Sequence, residues 1–339
     1  MLKDVSAAGV IQAPTVFIGD DAVTELADWR DAVSALRAAH AGPLQDEMVP
    51  PRVMARGDGF WLRGLCAVSP SGEYMGCKLI AASPAIHRAS YLISLFDQKT
   101  MDLVALIDGN QVTGIRTAAT AAVAVDLLAP AKALRVAVIG SGYEAQGLLS
   151  ALSSVRDIEW VRVFSPSPAS RARFVTVFKH GISDIQAADS AQQAVQGADV
   201  VLCAARSRDE TPVLQGSWLE PGMTVVSIGS TLPEQREVDA QTLARAACIV
   251  ADMPAEVAHD TGDALAAKQA GVALESKMIS LADLASGAAP GRCHRDDIVL
   301  YKSVGTALQD VVIAEMLLRK AQAAGRCQRL NQTILTIDK

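Results

Sequence analysis

A glycine-rich turn is the first feature of the sequence that could do chemistry. Gly140, Gly142 and Ala145 occur in the spacing GxGxxA, after an apolar run at 135–139 and before a helical pattern. The first glycine permits a tight turn, the second lets the backbone approach an anion, and the helix N-terminus faces that anion. A glycine turn without a ligand is the alternative. We expect a dinucleotide pyrophosphate here, held by Gly140, Ser141, Gly142, Tyr143, Glu144, Ala145 and Gln146.

The residue that closes the next predicted strand distinguishes between nicotinamide cofactors. An Asp or Glu at this position would bond the ribose 2′-hydroxyl of NAD. Here the position is Ser165, followed by Ser167 and Arg171. Hydroxyls and a guanidinium suit a 2′-phosphate, and no acid repels it. We therefore expect NADP, with NAD as the second choice; the alternative is that the serines are only turn and cap residues.

Two basic residues lie where their charge would be buried. Lys78 is inside the apolar segment 76–82, and Arg116 opens a helical pattern of almost only Thr, Ala and Val. A buried cation is costly without an anion, so both are expected to face an anionic partner. Arg52 could reach the same anion with its forked guanidinium. An exposed surface charge is the alternative for Arg116 and Arg52.

Histidine and cysteine carry less of the argument. His87 follows Lys78 in a loop, where it could line a substrate pocket or donate a proton, although exposed loop histidines are more common. The six cysteines show no CxxC spacing, so neither a disulfide framework nor a metal site is expected. No sustained apolar run follows Lys3 and Asp4, which argues against a signal peptide. We expect a cytoplasmic protein.

Composition narrows the classes of partner. The 339 residues carry a net charge of −6, with 31 basic residues scattered among 37 acidic ones. Proteins that bind nucleic acid cluster their Lys and Arg, so nucleic acid is not an expected partner. The longest stretch without a charged residue or histidine, 5–19, is shorter than the roughly 18 apolar residues of a membrane helix. No membrane contact is expected, and a small molecule remains the expected partner.

The elements that must position these residues alternate between short Val/Ile runs and alanine-rich helical patterns, which indicates an α/β protein. A strand at 15–18 leads into one helix at about 20–41. Short segments between 60 and 108 predict an antiparallel sheet, and a helix of small residues follows at 113–128. From residue 134 the pattern predicts a doubly wound parallel sheet and then a helix at 303–323. Its strands are expected at 135–139, 161–164, 200–203, 224–228 and 249–251.

Six separated blocks of the sequence resemble the ornithine cyclodeaminase/mu-crystallin family in order and spacing. They are Gly-Cys-Lys-Leu at 76–79, Leu-Phe-Asp at 95–97 with Ala-Leu-Ile-Asp-Gly at 105–109, Thr-Gly-Ile-Arg-Thr-Ala-Ala at 113–119, the glycine turn at 140–142, Gly229 with Pro233 and Arg-Glu-Val-Asp at 236–239, and Tyr-Lys-Ser-Val-Gly at 301–305. The resemblance runs from about residue 15 to residue 325. It implies a homodimer acting on an amino acid or its imine at a nicotinamide. It also implies a Rossmann-type dinucleotide-binding domain at 131–303, inserted into an α+β substrate and dimerisation domain formed by 1–130 and 304–339.

The resemblance assigns roles to single residues. Arg52, Lys78 and Arg116 match the positions that hold the substrate carboxylate. For Lys78 and Arg116 this agrees with the cost of burying their charges. Thr117 would donate to a cofactor phosphate. The remaining cofactor contacts implied are Ala204, Ala205, Ser230 and Val304.

One position departs from the cyclodeaminases of the family. They carry an aspartate two residues after the glycine that ends the fourth strand of the dinucleotide domain, and that acid moves protons around the imine. This chain has Thr231 there, and a hydroxyl of very high pKa cannot act as a carboxylate base near pH 7. The imine reductases of the family, including the mu-crystallin branch, likewise lack the aspartate.

The sequence therefore predicts an NAD(P)H-dependent reductase of imino acids, of the ketimine or Δ1-pyrroline-2-carboxylate type, with Lys78, Arg116 and Thr231 as its catalytic set. Three alternatives remain open. One is an ornithine cyclodeaminase with Glu234 as a substitute acid. The second is an amino-acid dehydrogenase of alanine or opine type, and the third is a mu-crystallin-like protein that binds NADP or another ligand without catalysis.

Overall fold

Two β-sheets organise the chain in the computed structural model, which describes residues 14–207, 209–331 and 334–337. Lys3 and Asp4, used above to argue against a signal peptide, lie outside these ranges. The first part of the chain contains β1 (Val16–Ile18), α1 (Asp20–Leu26), α2 (Trp29–Ala41), β2 (Val53–Arg56), β3 (Trp61–Val68), β4 (Tyr74–Ser83), β5 (Arg88–Asp97), β6 (Leu103–Asp108) and α3 (Gly109–Leu128).

The middle and the end of the chain supply the second sheet and its helices. They contain β7 (Leu134–Ile139), α4 (Tyr143–Val155), β8 (Ile158–Phe164), α5 (Pro168–Phe178), β9 (Ile185–Ala187), α6 (Ala191–Val195), β10 (Val200–Cys203), β11 (Thr224–Ser227), α7 (Ala240–Arg245), β12 (Cys248–Ala251), α8 (Pro254–Asp260), α9 (Gly262–Gln269), β13 (Met278–Ser280), α10 (Leu281–Ser286), β14 (Val299–Lys302), α11 (Ala307–Ala324) and β15 (Gln328–Arg329).

The first sheet has, within the described residues, the strand order β15-β1-β6-β5-β4-β3-β2. Strands β2 to β6 pair antiparallel, which confirms the antiparallel sheet predicted between 60 and 108. Side chains alternate between its two faces: Lys78 and Ile80 are buried, whereas Leu79 and Ala81 are exposed. Both chain ends join this sheet, because β1 and β15 extend it beyond β6.

The second sheet is parallel, and its described strands follow the order β13-β12-β14-β11-β10-β7-β8-β9. The five strands predicted from the sequence are present. Three short strands were missed, namely β9, β13 and β14, and β14 lies centrally between β11 and β12. All described strands of this sheet fall within 134–302; the domain boundaries at 130/131 and 303/304 stay a prediction.

Three predicted helix boundaries were wrong, and in each case the observed boundary is set by a capping residue. The single helix predicted at 20–41 is two helices, because the side chain of Asp28 caps α2 by accepting from the Asp31 amide. The helix predicted from 113 begins at Gly109, capped by Asp108. The last helix begins four residues later than predicted, since Thr306 caps α11.

Helices α3 and α11 occupy the space between the sheets. Helix α3 is buried along most of its length and contacts α2, α4 and α11, whereas α11 lies on β3 and β4. Their polar residues are therefore held in the interior, next to the buried face of the first sheet. No helix in the described ranges is both long and apolar enough to pass through a membrane.

Candidate active site

Lys78 and Arg116 share one buried carboxylate. Lys78 projects from the middle of β4 with 1% of its surface exposed, and its Nζ lies 2.7 Å from Oδ1 of Asp310. The Nε of Arg116 lies 3.3 Å from the same oxygen. The anionic partner inferred from the sequence is thus supplied, in part, by the protein itself. Asp310 was missed because it lies within the apolar pattern of the last helix.

Burial and charge set the protonation of Lys78. Burial lowers the pKa of Lys78 to about 8; Asp310 opposes this effect, and the nearby Arg116 adds to it. At neutral pH the side chain is an ammonium, and it loses its proton in mildly alkaline solution.

The guanidinium of Arg116 is held by the first turn of α11 and borders the loop between β14 and α11. Its Nη1 donates to Oε1 of Gln309 at 2.9 Å. Gly305 has φ +81°, and a Cβ there would lie 2.2 Å from that Nη1. Asp252 fixes the loop, because its Oδ2 accepts from the Gly305 amide at 2.8 Å and from Nε2 of Gln309 at 3.1 Å.

Arg52, Thr231 and Val304 are brought together. Nη2 of Arg52 donates to the Thr231 carbonyl at 3.0 Å, and Nη1 to the Val304 carbonyl at 3.4 Å. The Nε of Arg52 also lies 2.9 Å from Oε2 of Glu256, a partner that the sequence did not reveal. Burial raises the pKa of Glu256, and Arg52 opposes this. Three predicted site residues therefore meet at the carboxyl ends of the parallel strands.

The hydroxyl of Thr231 faces an amide rather than an acid. Its Oγ1 donates to Oε1 of Gln235 at 3.1 Å, and its backbone amide donates to the same oxygen at 2.9 Å. Ser230, one residue earlier, donates from Oγ to the Gln235 carbonyl at 2.6 Å. The loop is thus closed on itself by hydrogen bonds.

A buried ionic network lies under this loop. Nζ of Lys302 is 2.9 Å from Oδ2 of Asp263 and donates to Oγ of Ser227 at 3.0 Å. Glu237 accepts from Ser227 Oγ at 2.6 Å and from the Ala205 amide at 2.9 Å. The network joins the loop after β10, which carries Ala204 and Ala205, to the loop after β11.

The glycine turn has the geometry of an anion cradle. Gly140 has φ +114°, and a Cβ on it would lie 2.6 Å from the Ala204 carbonyl oxygen. A Cβ on Gly142 would meet no atom within 4 Å, so its backbone borders open space. Ala145 is fully buried in the first turn of α4. Ser141 Oγ and Ser165 Oγ are 2.8 Å apart.

The start of α4 turns towards the buried cations. Oε2 of Glu144 is buried and has no hydrogen-bond partner among the residues that the structure describes. Burial raises the pKa of Glu144, while Arg116 and Lys78 oppose that rise. Tyr143 is exposed and donates to Oε1 of Gln111 at 2.6 Å. A cleft of about 300 Å³ opens here, and its lining includes Gly114, Tyr143, Glu144 and Gln146.

The remaining predicted cofactor residues have internal hydrogen bonds. Thr117 Oγ1 donates to the Thr113 carbonyl at 2.7 Å. Ser167 caps α5 by accepting from the Ser170 amide. Nη1 of Arg171 donates to the Ser165 carbonyl at 2.9 Å, so the guanidinium lies beside the end of β8.

His87 is separated from the cluster. It lies in the exposed turn between β4 and β5, with φ 53°. The five residue steps along β4 from Lys78 to Ser83 alone span roughly 16 Å, at about 3.3 Å per residue. The structure does not bring His87 to Lys78 or Arg116 of the same chain, because both strands of the β4–β5 hairpin are extended and His87 lies in the turn at its tip. Among the described residues no cluster of three or more His, Cys, Asp or Glu side chains suits a metal ion.

Comparison with known proteins confirms the resemblance. The ketimine reductase mu-crystallin of Mus musculus is 29% identical over 302 residues, 85% of this chain and 91% of that protein. The Δ1-pyrroline-2-carboxylate reductase of Paracoccus denitrificans is 29% identical over 295 residues, 86% and 92% of the two chains. The solved dimer of an archaeal alanine dehydrogenase with bound NAD superposes with a TM-score of 0.83, at 25% identity, covering 92% and 97%. The model of the ornithine cyclodeaminase/mu-crystallin family matches residues 25–325, and this chain belongs to that family.

Proposed function

We propose that this protein is an NAD(P)H-dependent reductase of imino acids, of the ketimine or Δ1-pyrroline-2-carboxylate type. The observation that carries the proposal is the pair of cations, Lys78 and Arg116, held on one carboxylate beside the glycine turn. The names of the two relatives, a ketimine reductase and a pyrroline carboxylate reductase, support it.

The cations bind and orient the substrate. Asp310 neutralises only part of the charge of Lys78 and Arg116, so the pair can still attract a substrate carboxylate. The guanidinium of Arg52 is bonded to the carbonyl of Thr231 and provides a further cation that can contact the substrate carboxylate from another side. Fixing the carboxylate fixes the C=N carbon, and reduction of a protonated imine depends on such placement more than on a strong base.

The turn after β7 fits a dinucleotide. Open space at Gly142 lets a pyrophosphate approach the backbone at the N-terminus of α4. A bound NAD(P)H supplies the hydride. Ser167 is engaged as a helix cap and Ser165 bonds Ser141, so Arg171 is the main candidate for the 2′-phosphate of NADP. We assign NADP as the preferred cofactor and NAD as the second.

The site argues against cyclodeamination. That reaction needs an acid at the position of Thr231, and Thr231 Oγ1 bonds only the Gln235 amide oxygen among the described residues. Of the carboxylates close in sequence, Glu234, the substitute acid considered above, is exposed on the same loop, and Glu237 is fully buried in the network with Ser227. A binding protein without catalysis would not need two cations buried on one carboxylate, which cost stability.

The fold supports a homodimer paired through the first sheet. Val53, Leu79 and Leu92 are exposed and lie in register across β2 to β5, with Gly64 between them. A row of exposed apolar side chains favours coverage by another surface, and the alanine dehydrogenase of the same fold is a dimer. We also propose that the protein is cytoplasmic.

Substrate turnover tests the proposal. With NADPH and Δ1-pyrroline-2-carboxylate or a cyclic ketimine, we expect oxidation of NADPH at 340 nm and formation of the matching amino acid. With L-ornithine and catalytic NAD, we expect little or no ammonia. Proline and ammonia from ornithine at comparable rates would reverse the assignment in favour of a cyclodeaminase. Tight NADPH binding without turnover of any imine would instead identify a binding protein.

A further inference from the structure

Arg63 is a buried cation to which the site described above gives no role. It lies on β3 with 8% of its surface exposed, and its guanidinium carbon is 4.9 Å from the centroid of the Trp61 ring. Within the described part of the chain it has no ion pair and no side-chain hydrogen bond, and its Nε is buried without a partner. Most other buried cations of this region have a carboxylate partner.

Strand register places Arg63 beside the cations of the site. Arg63 pairs with Ile80, and Leu65 pairs with Lys78, in the β3–β4 ladder. Arg63 and Lys78 are therefore diagonal neighbours on the buried face, and their Cα atoms are roughly 7–8 Å apart. On its other side Arg63 pairs with Met54 of β2, two residues after Arg52.

The charges around Arg63 leave it without a counterion. Burial lowers the pKa of Arg63 to about 10, and Arg52 adds to this, so the group is still protonated at neutral pH. Glu256 is the carboxylate that most opposes this lowering of the pKa of Arg63, but it already forms an ion pair with Arg52. Asp310 likewise serves Lys78 and Arg116. A substrate with one carboxylate would satisfy the clamp and leave the Arg63 guanidinium, whose Nε is buried, without a counterion in a largely buried site, which is costly.

From this imbalance, and resting on the proposed function, we propose that Arg63 binds a second carboxylate, and that the preferred substrates are imino acids carrying two carboxylates. Stacking on Trp61 fixes the plane of the guanidinium, whose edge then suits a two-point contact with a carboxylate. The reduction is unchanged: the C=N carbon of the iminium gains a hydride and a C–H bond, and the π pair becomes the lone pair on nitrogen. NAD(P)H is oxidised, and the second carboxylate takes no part in the bond changes.

Matched substrates test this selectivity on the intact protein. We would compare Δ1-piperideine-2-carboxylate with Δ1-piperideine-2,6-dicarboxylate, and the methylamine imines of 2-oxopentanoate and 2-oxoglutarate. In at least one pair, kcat/KM for the diacid should exceed that for the monoacid by about 10- to 100-fold, the range for a hydrogen bond to a charged group. Comparable or better turnover of the monoacid in both pairs would overturn the inference and leave the proposed function standing.

Variants separate recognition from packing. Arg63→Leu should remove the diacid preference while leaving kcat/KM for the monoacid near the wild-type value, and Arg63→Lys should restore part of it. Arg56→Gln, which removes an exposed cation of the same region, is the matched control and should change neither. An equal loss for both substrates in Arg63→Leu, with an unchanged melting temperature, would show a structural role and refute the inference.

A binding measurement keeps the inference testable without turnover. Pyrrole-2,5-dicarboxylate and pyrrole-2-carboxylate are planar analogues that cannot be reduced in the same way, and calorimetry gives their Kd in the presence of NADP. The diacid should bind about 10- to 100-fold more tightly than the monoacid, and Arg63→Leu should abolish the difference. Failure of every imine to turn over would refute the proposed function, whereas equal binding of the two analogues would refute the role of Arg63 in binding a second carboxylate.

Discussion

At the scale of single residues, we expect the proton on Lys78 to control activity. Its pKa of about 8 results from burial and from Arg116, against the attraction of Asp310. The ammonium dominates below that pH and is lost above it, so kcat/KM should fall as the pH rises through about 8. Lys78→Arg keeps its charge in this range, and its lower kcat/KM should not show the same fall. An identical alkaline limb in both proteins would assign the titration to the substrate imine instead.

Lys78 and Thr231 should differ sharply in their importance. Lys78→Ala removes the proposed charge-assisted partner of the substrate carboxylate, and the expected cost is about 1.5–3 kcal/mol, or one to two orders of magnitude in kcat/KM. Thr231→Ala removes a hydroxyl that bonds only Gln235 within the described residues, and should cost about tenfold at most. Steady-state kinetics with the same imine measures both, and Lys99→Ala in an exposed turn is the control. A loss of more than about a hundredfold in Thr231→Ala would contradict the proposed roles.

Lys78 and Arg116 could be selected from the sequence because their surroundings were unusual for a charge, whereas Arg52 was selected through the family resemblance. Their partners could not be selected in the same way. Asp310 and Glu256 lie far along the chain from Lys78 and Arg52, and nothing local marks a carboxylate on a helix as the partner of a distant strand. Arg63 was missed because one arginine in an amphipathic strand reads as a surface residue until the register is known.

At the scale of elements, the end of β8 and the start of α5 should set cofactor preference. Arg171 is anchored on the Ser165 carbonyl beside that strand end. NADPH should therefore bind more tightly than NADH, and Arg171→Ala should reduce the ratio of their Kd values by about 10- to 100-fold. Fluorescence titration of both cofactors measures this. Arg173→Ala, an exposed arginine on the same helix, should leave the ratio unchanged, and equal Kd values in the wild-type protein would remove the argument.

The loop before α11 should be intolerant of a side chain at one glycine. Gly305 and Gly325 both have positive φ, but only at Gly305 would a Cβ meet another residue, Arg116 at 2.2 Å. Each change to Ala should lower the free energy of unfolding by about 1–3 kcal/mol through backbone strain. Gly305→Ala should also raise KM, because the guanidinium must move. Urea unfolding and kinetics on both variants separate the effects, and an unchanged KM in Gly305→Ala would disprove this role for the loop.

Elements with a clear apolar pattern were predictable, whereas three short strands of the parallel sheet were not. The five predicted strands of the parallel sheet are runs of Val and Ile. Strand β14 ends in a buried lysine, Lys302, and β9 and β13 are only three residues long, so their patterns resemble those of loops. Helix ends moved by several residues because caps such as Asp28 and Thr306 act through single hydrogen bonds.

At the scale of the whole molecule, the site exists only where the two sheets meet. Lys78 comes from the first sheet, Arg116 and Asp310 from the helices between the sheets, and Thr231 from a loop of the second. Asp252, which follows β12, ties the second sheet to α11 through Gln309, and the ionic network of Lys302 joins the loops at the carboxyl ends of that sheet. A reaction between a cofactor on one sheet and a substrate on the other requires this arrangement.

The exposed face of the first sheet should pair two copies of the chain. Leu79 lies opposite Leu92 and, through Gly64, in line with Val53, so this face presents apolar side chains on three strands, β2, β4 and β5, with a glycine on β3 between them. In a two-fold dimer the same surface meets itself, and a charge introduced at its centre is buried twice. Leu79→Lys should therefore change a dimer mass to a monomer mass in light scattering at micromolar concentration. Val177→Lys, which charges an exposed valine on α5, should leave the dimer intact. A monomer mass for the unmodified protein would refute the dimer, and a dimer in Leu79→Lys would place the interface elsewhere on the molecule.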